Sequence, residues 1–296
     1  MSDLREISRA AHPLGSDRQK EVADFIADRA RQIIGRVEFQ EFDATVPRPR
    51  PLPMSRTETR KGRNIIALPP APKSSCVVLW ASHYDTKHID GFDYLGANDS
   101  ASSSAALLAL LSALNTPLTR NAESCDLGVV WFDGEESVLP NWFDGERAHP
   151  AMITDHTYGS RFFVSRLTPC SSSRCLPASF GGQRLHAVIL LDMIGSPDLR
   201  LTRESRSHPE LLRLALEASR DLGSSNLFSD DVQPIEDDHI PFVEAGIPSI
   251  NLIDFQHLDH WHRPTDTPEN ISVESLVIST KVALLLGLNA AERSLQ

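Results

Sequence analysis

Four short apolar runs in this chain each end in acids or histidines. His83-Tyr84-Asp85 follows the run 76–81, and Asp133-Gly134-Glu135-Glu136 follows 127–132. Asp192 ends the run 187–192, and the segment 254–262, which holds three histidines, follows 249–253. A carboxylate at the rim of a dry core must be paired or bound to a cation. One such coincidence means little; four at one sheet edge favour a metal site over scattered surface acids. A catalytic zinc takes three donors from His, Asp and Glu and keeps one position open. In Glu135-Glu136 one carboxylate can bind metal while its neighbour handles protons, and a cation is what lets two acids stand so close. A lone pair of this kind would be read as an exposed acidic turn. Spacing does not choose among His257, His260 and His262. His12, His149, His156, His186 and His208 lie in polar or loop contexts and receive no role.

Such residues need a scaffold that brings them to one edge. The runs 64–68, 76–81, 127–132, 187–192 and 249–253 have the length of buried strands. Helical stretches at 100–114, 158–167, 209–222 and 273–291 separate several of them. Residues 16–34 form an amphipathic pattern, with Val22, Phe25, Ile26, Ala30, Ile33 and Ile34 at helical spacing and Ser16 or Asp17 as its cap. Residues 37–42 alternate like a strand. Strands alternating with helices predict an α/β fold: a three-layer α/β/α arrangement around a central, mostly parallel mixed β-sheet. Ligands in such sheets bind beyond the carboxyl ends of the strands, where the acids and histidines fall. The long links 137–157 and 254–268 suit a site, because structureless loops of that length are uncommon otherwise. The proline-rich stretch 47–53 reads as an exposed loop. Trp80 and Trp131, inside strand-like runs, read as core.

The chain has 296 residues, 41% hydrophobic and 23% charged, which is a globular balance. We expect residues 1–296 to form a single catalytic domain. A net charge of −11 argues against nucleic acid as the main partner, since phosphate binding needs surplus Lys and Arg. No apolar run approaches the length of a membrane span. The first residues carry no signal-peptide pattern. Cys170 and Cys175 flank a Ser/Arg loop and could form a small bridge, and Cys76 and Cys125 each begin an apolar run; plain thiols are the favoured reading for both pairs, the count being too low for a disulfide framework. No four-ligand Cys/His cluster suggests a structural zinc.

Five ordered motifs carry a resemblance. Ser82-His83-Tyr84-Asp85-Thr86-Lys87, Gly96-Ala97-Asn98-Asp99-Ser100-Ala101, Gly134-Glu135-Glu136, Leu191-Asp192-Met193-Ile194-Gly195, and His262 followed by Pro264-Thr265-Asp266-Thr267-Pro268-Glu269-Asn270 resemble the zinc-exopeptidase superfamily. That superfamily includes co-catalytic zinc aminopeptidases and the animal-type glutaminyl cyclases. Finer features resemble the cyclases: Phe132 before Asp133-Gly134-Glu135-Glu136, the insertion with Trp142 before Tyr158-Gly159-Ser160-Arg161, Asp237-Asp238-His239 in place of Ser-Asp-His, and Trp261-His262 in place of Tyr-His.

The resemblance implies that Asp99, Glu136 and His262 hold one zinc, that Glu135 is the general acid/base, and that Asp192 and Asp237 form a carboxylate network beside it. Trp142 and Trp261 would line the substrate pocket. Asn251 stands where animal cyclases carry a histidine of the network; Asn donates and accepts but does not titrate. Ser82 and Ser104 occupy the positions of a cysteine pair in the secreted animal enzymes, so that disulfide is absent here. The implied reaction is cyclisation of an N-terminal Gln to pyroglutamate with loss of ammonia, on peptide or protein substrates. The rival is a two-zinc aminopeptidase, with His83 and Asp192 binding a second metal bridged by Asp99. A catalytically dead binding module is disfavoured by the intact Glu135. The resemblance further implies a monomer, secreted or periplasmic after loss of a leader, with a cytoplasmic location left open.

Overall fold

The computed structural model describes residues 1–48, 57–114, 124–140, 142, 144, 156–171 and 173–295. Most of the proline-rich stretch 47–53, and His149, fall outside them. The chain opens with a short helix α1 (Ser2–Ile7) and the long helix α2 (Asp17–Ile34). Ser16 caps α2 by accepting the Gln19 N–H at 3.0 Å, as its position before the apolar pattern suggested. The strands are β1 (Val37–Pro47), β2 (Thr57–Ala67), β3 (Cys76–His83), β4 (Asp126–Phe132), β5 (Thr168–Cys170), β6 (Ser173–Cys175), β7 (Arg184–Asp192), β8 (Leu201–Glu204), β9 (Phe228–Gln233) and β10 (Ser249–Ile253). The later helices are α3 (Ser103–Leu114), α4 (Tyr158–Ser165), α5 (Pro209–Asp221), α6 (Ile240–Glu244) and α7 (Val273–Glu292).

The main sheet runs β1-β2-β4-β3-β7-β6-β5, with β10 also paired to β7. Its centre, β4-β3-β7-β10, is parallel, so these strand ends all point the same way. The flanks β1-β2-β4 and β5-β6-β7 are antiparallel. The expected parallel character therefore belongs to the centre alone. The charged first half of β2, Thr-Glu-Thr-Arg-Lys-Gly-Arg, had no apolar run to reveal it, and it pairs with residues 41–47 of β1. β8 and β9 form a separate parallel pair.

Residues alternate between faces of the central strands. Val78 and Trp80 join one core with α2, α3, α5 and α7, while Val77, Leu79 and Ala81 join another with Phe163 of α4 and Phe242 of α6. Helices on both faces give the three layers. Helix α7 lies directly on Trp80, whose indole N–H donates to the Ala283 carbonyl at 2.9 Å. Gly287 makes that approach possible, because a Cβ there would sit 2.3 Å from the indole. By length and composition α7 could cross a membrane, which corrects the expectation that no run reaches that length. Its Val282, Ala283, Leu286 and Ala290 are buried in the core, while Val273 and Val277 are exposed.

The cysteines overturn a second expectation. Cys76–Cys125 and Cys170–Cys175 are both disulfides. Val77 pairs with Asp126 across the parallel β3–β4 ladder, so the two preceding cysteines face each other with Cα atoms 4.8 Å apart. In the β5–β6 hairpin Cys170 stands opposite Ser173 and Cys175 opposite Thr168, so the bond runs diagonally across the ladder with Cα atoms 5.8 Å apart. Ladder register, not cysteine count, decides both bonds.

Candidate active site and metal centre

The parallel strand ends deliver the site. β3 ends at His83, with Asp85 and Lys87 just beyond; β4 leads into Asp133–Glu136; β7 ends at Asp192. Asp99 comes from the irregular turn Ala97–Ser102 that precedes α3, where its backbone is non-helical. Gly96 starts that turn at φ +59°, and a Cβ on it would collide with the Asp99 carbonyl at 2.2 Å. Side-chain-bearing residues held at positive φ gather here as well: Trp142, Thr157, Met193 and His262, with only Ser171 elsewhere among the described residues. Such backbone strain persists where the surroundings over-determine it, commonly at functional sites.

Two groups of donors share Asp99. In one, His262 Nε2 lies 3.0 Å from Glu136 Oε1 and 3.3 Å from Asp99 Oδ2. In the other, His83 Nε2 lies 3.1 Å from Asp99 Oδ1 and 3.4 Å from Asp192 Oδ1. Within each triad the ligand atoms lie within 4.8 Å of one another. His83 Nε2 is buried, and neither neighbouring oxygen lies in line for a hydrogen bond. In the other triad His262 Nε2 and Glu136 Oε1 are within hydrogen-bond distance. Each set gathers its donor atoms around one point, and the Asp/Glu/His set is one zinc accepts. Burial works against charge on both rings, yet the carboxylates win. Glu136 and Asp99 lift His262 to about 9, and Asp192, Asp85 and Asp99 lift His83 well above its ordinary value. Burial opposes ionisation of Asp99 too, but His262 and His83 hold its carboxyl below the usual range.

Glu135 lies beside both triads and is 7% exposed. Burial raises its carboxyl well above the usual glutamate range; Glu136, Asp237 and Asp238 add to this and His83 opposes it. Asp192 is lifted to about 7 by burial, with Asp237 and Asp99 contributing against His83. Asp237 is raised by burial as well. Its Oδ2 accepts from Asn251 Nδ2 at 2.7 Å and its Oδ1 from the Asp238 N–H at 2.6 Å. Asn251, read as substrate-binding, is thus 1% exposed in β10 and reaches Asp237.

The tryptophans assemble as a wall. Trp261 stacks on His262 with centroids 4.2 Å apart and 24° between planes. Trp142 lies nearly parallel to both, 5.7 Å from His262 and 6.3 Å from Trp261. Of the three loop histidines only His262 meets Asp99 and Glu136. His260 faces Thr265 Oγ1 at 2.9 Å, and His257 pairs with Asp254 at 3.0 Å.

Several contributors had no assigned role in the sequence. Asp85 accepts the Glu135 and Glu136 N–H groups at 3.0 and 3.3 Å, so it fixes the turn carrying both. The Lys87 ammonium donates to Ser137, sits 3.5 Å from Glu136 Oε2, and lies 4.0 Å from the Trp142 ring centre. The Tyr94 hydroxyl lies 3.0 Å from both Asp99 Oδ2 and Asp266 Oδ2. One hydroxyl proton cannot serve two carboxylates, and burial with Asp99 nearby lifts Asp266 to about 7, so Asp266 can carry the second. His156 reaches Glu135 itself at 3.0 Å. Asp85, Lys87 and Asp266 fall inside the quoted motifs, which is the signal that could have found them; Tyr94 and His156 fall outside.

The chain is similar to known proteins in sequence and in fold. A glutaminyl-peptide cyclotransferase of the snake Bothrops jararaca is 29% identical over 244 residues, 74% of this chain and 63% of the relative, so the chain spans less than two thirds of it. A glutaminyl cyclase structure from an Acidobacteriales bacterium superposes with a TM-score of 0.77 at 26% identity, covering 99% of this chain and 94% of that one. A leucine aminopeptidase precursor from Bacteroides thetaiotaomicron shares the fold, with a TM-score of 0.76 at 20% identity over 97% and 95% of the two chains. The model of peptidase family M28 matches residues 64–286, a span that holds both donor triads and Glu135, and the chain belongs to that family.

Proposed function

We propose that the chain is a zinc-dependent glutaminyl-peptide cyclotransferase, turning the N-terminal Gln of peptides into pyroglutamate with release of ammonia. The observation that carries this reading is the buried carboxylate cluster. Glu135, Asp192 and Asp237 stand next to a three-donor metal triad under two parallel indoles. The snake relative and the bacterial structure, both named for this reaction, support it.

Asp99, Glu136 and His262 are the residues that would hold one zinc. Bound there, zinc would supply Lewis-acid polarisation of the γ-carboxamide oxygen and stabilisation of charge developing on it. Glu135 takes a proton from the attacking α-amine and delivers one to the departing nitrogen, a task suited to a carboxylate whose proton affinity burial has raised. Asp192 and Asp237 accept hydrogen bonds from the leaving nitrogen, and Asn251 keeps Asp237 turned to that work. Trp142 and Trp261 confine the small substrate, so that attack within one molecule needs little more than orientation.

The His83–Asp99–Asp192 triad favours a second reading, a two-zinc aminopeptidase in which Glu135 activates water. Purified protein supplied with Gln-peptides and with aminoacyl amides separates the two. The cyclase releases ammonia and pyroglutamyl peptide and leaves the amides intact; rapid amide hydrolysis without cyclisation would reverse the assignment.

The remaining expectations belong to the same proposal. Residues 1–296 act as one catalytic unit, as a monomer, on peptide or protein substrates. The two disulfides favour an oxidising, secreted or periplasmic setting.

A further inference from the structure

His156 sits at the downstream end of the insertion that carries Trp142, and it is 6% exposed. Its Nδ1 lies 3.0 Å from the Glu135 carbonyl oxygen and 3.0 Å from Glu135 Oε1. A backbone carbonyl only accepts, so the carbonyl contact fixes the tautomer: Nδ1 carries the proton and shares it between the two oxygens.

The surrounding chain holds the ring in that place. Thr157, at φ +58°, donates its N–H to the Glu135 carbonyl at 2.9 Å, and the Tyr158 N–H donates to the Gly134 carbonyl at 2.7 Å. Arg161 Nε donates to Thr157 Oγ1 at 3.0 Å and to the His156 carbonyl at 3.3 Å. The far side of the imidazole meets Trp142 edge-on, with centroids 4.9 Å apart and 78° between planes. Burial lowers the ring's pKa to about 4, so it stays neutral where most enzymes work.

We propose that His156 is a positioning residue for Glu135: its Nδ1–H occupies Oε1 and leaves Oε2 as the atom that exchanges protons with substrate. An unheld glutamate would share the proton between two equivalent oxygens and several rotamers. Here one oxygen is committed, and the acid/base points one way. This rests on the assignment of Glu135 as acid/base, which both the cyclase and the aminopeptidase readings share.

The test uses His156→Asn, whose amide Nδ2 can stand where Nδ1 stood, against His156→Gln and His156→Ala, which cannot place a donor there. Misplacing a reacting group by about 1 Å costs ~100-fold, so kcat should fall ~10- to 100-fold in the Gln and Ala variants with KM little changed. The Asn variant should keep kcat within about fivefold of the parent, since its amide N–H restores the donor to Oε1. Turnover is read on whichever substrate the parent accepts, Gln-peptide or aminoacyl amide, so a wrong substrate assignment does not blur the result. Equal loss in the Asn and Gln variants, or a rise in KM with kcat intact, overturns the proposal. A second measurement needs no variant to fold: nitrogen-detected NMR of the parent protein's imidazoles. It should find His156 protonated at Nδ1, and a proton on Nε2 alone refutes the contact.

Discussion

The two donor triads draw on the same residue types and share Asp99, yet they sit in different surroundings. His262 belongs to a loop, stacks under Trp261 and leaves 16% of its side chain exposed. His83 belongs to β3, is 1% exposed, and has Asp85 at 3.5 Å on its other ring nitrogen. The third donors differ more. Glu136 is flanked by the Lys87 ammonium. Asp192 stands among carboxylates, and burial, with Asp237 and Asp99 contributing against His83, lifts it to about 7. One triad opens toward the indole wall; the other merges into the acid network. The comparison teaches that a donor set alone does not define a metal count, and that the neighbours of each donor decide whether it serves a cation or a proton.

The sharpest way to break this comparison is to remove donors from each side. His262→Ala or Glu136→Ala should lose zinc and activity together, as measured by metal analysis and Gln-peptide turnover. His83→Ala should keep close to one zinc per chain, and loss of the metal from that variant would move the site to the other triad. Next in size is Glu135→Gln, which leaves both triads intact. A positioned acid/base contributes ~100- to 10,000-fold, so kcat should fall by that range with normal zinc and nearly unchanged KM. Tyr94→Phe removes the hydroxyl shared by Asp99 and Asp266; residues behind a ligand typically contribute ~10- to 100-fold in affinity, and competition with a chelator should reveal a loss at the low end of that range. The smallest effect belongs to His260→Ala, which should leave zinc content and turnover as they were, because His260 faces Thr265.

Much of this was legible in the residues, and the parts that were not share a cause. The central strands were apolar runs bounded by polar residues, and β10 (Ser249–Ile253) begins and ends where its run does. Their termini announced the acids, and the motifs carried Asp99, Glu135, Glu136 and Asp192. Choosing His262 over His257 and His260 needed resemblance, since three histidines within six residues of loop carry no periodicity. The disulfide partners Cys76 and Cys125 are 49 residues apart and become neighbours only through strand register. β2 hid its first half behind charge. His156 lies 21 residues from Glu135, and no local pattern links the two; a folded chain is what makes them neighbours.

The central claim is that one zinc, at Asp99, Glu136 and His262, suffices for cyclisation. Zinc added stepwise to chelator-stripped protein, with pyroglutamate formation from a Gln-peptide followed at each step, tests it most directly. The account predicts that activity rises linearly and levels off at one zinc per chain. A plateau only at two per chain, accompanied by hydrolysis of aminoacyl amides, would contradict it and assign His83 and Asp192 to a second metal.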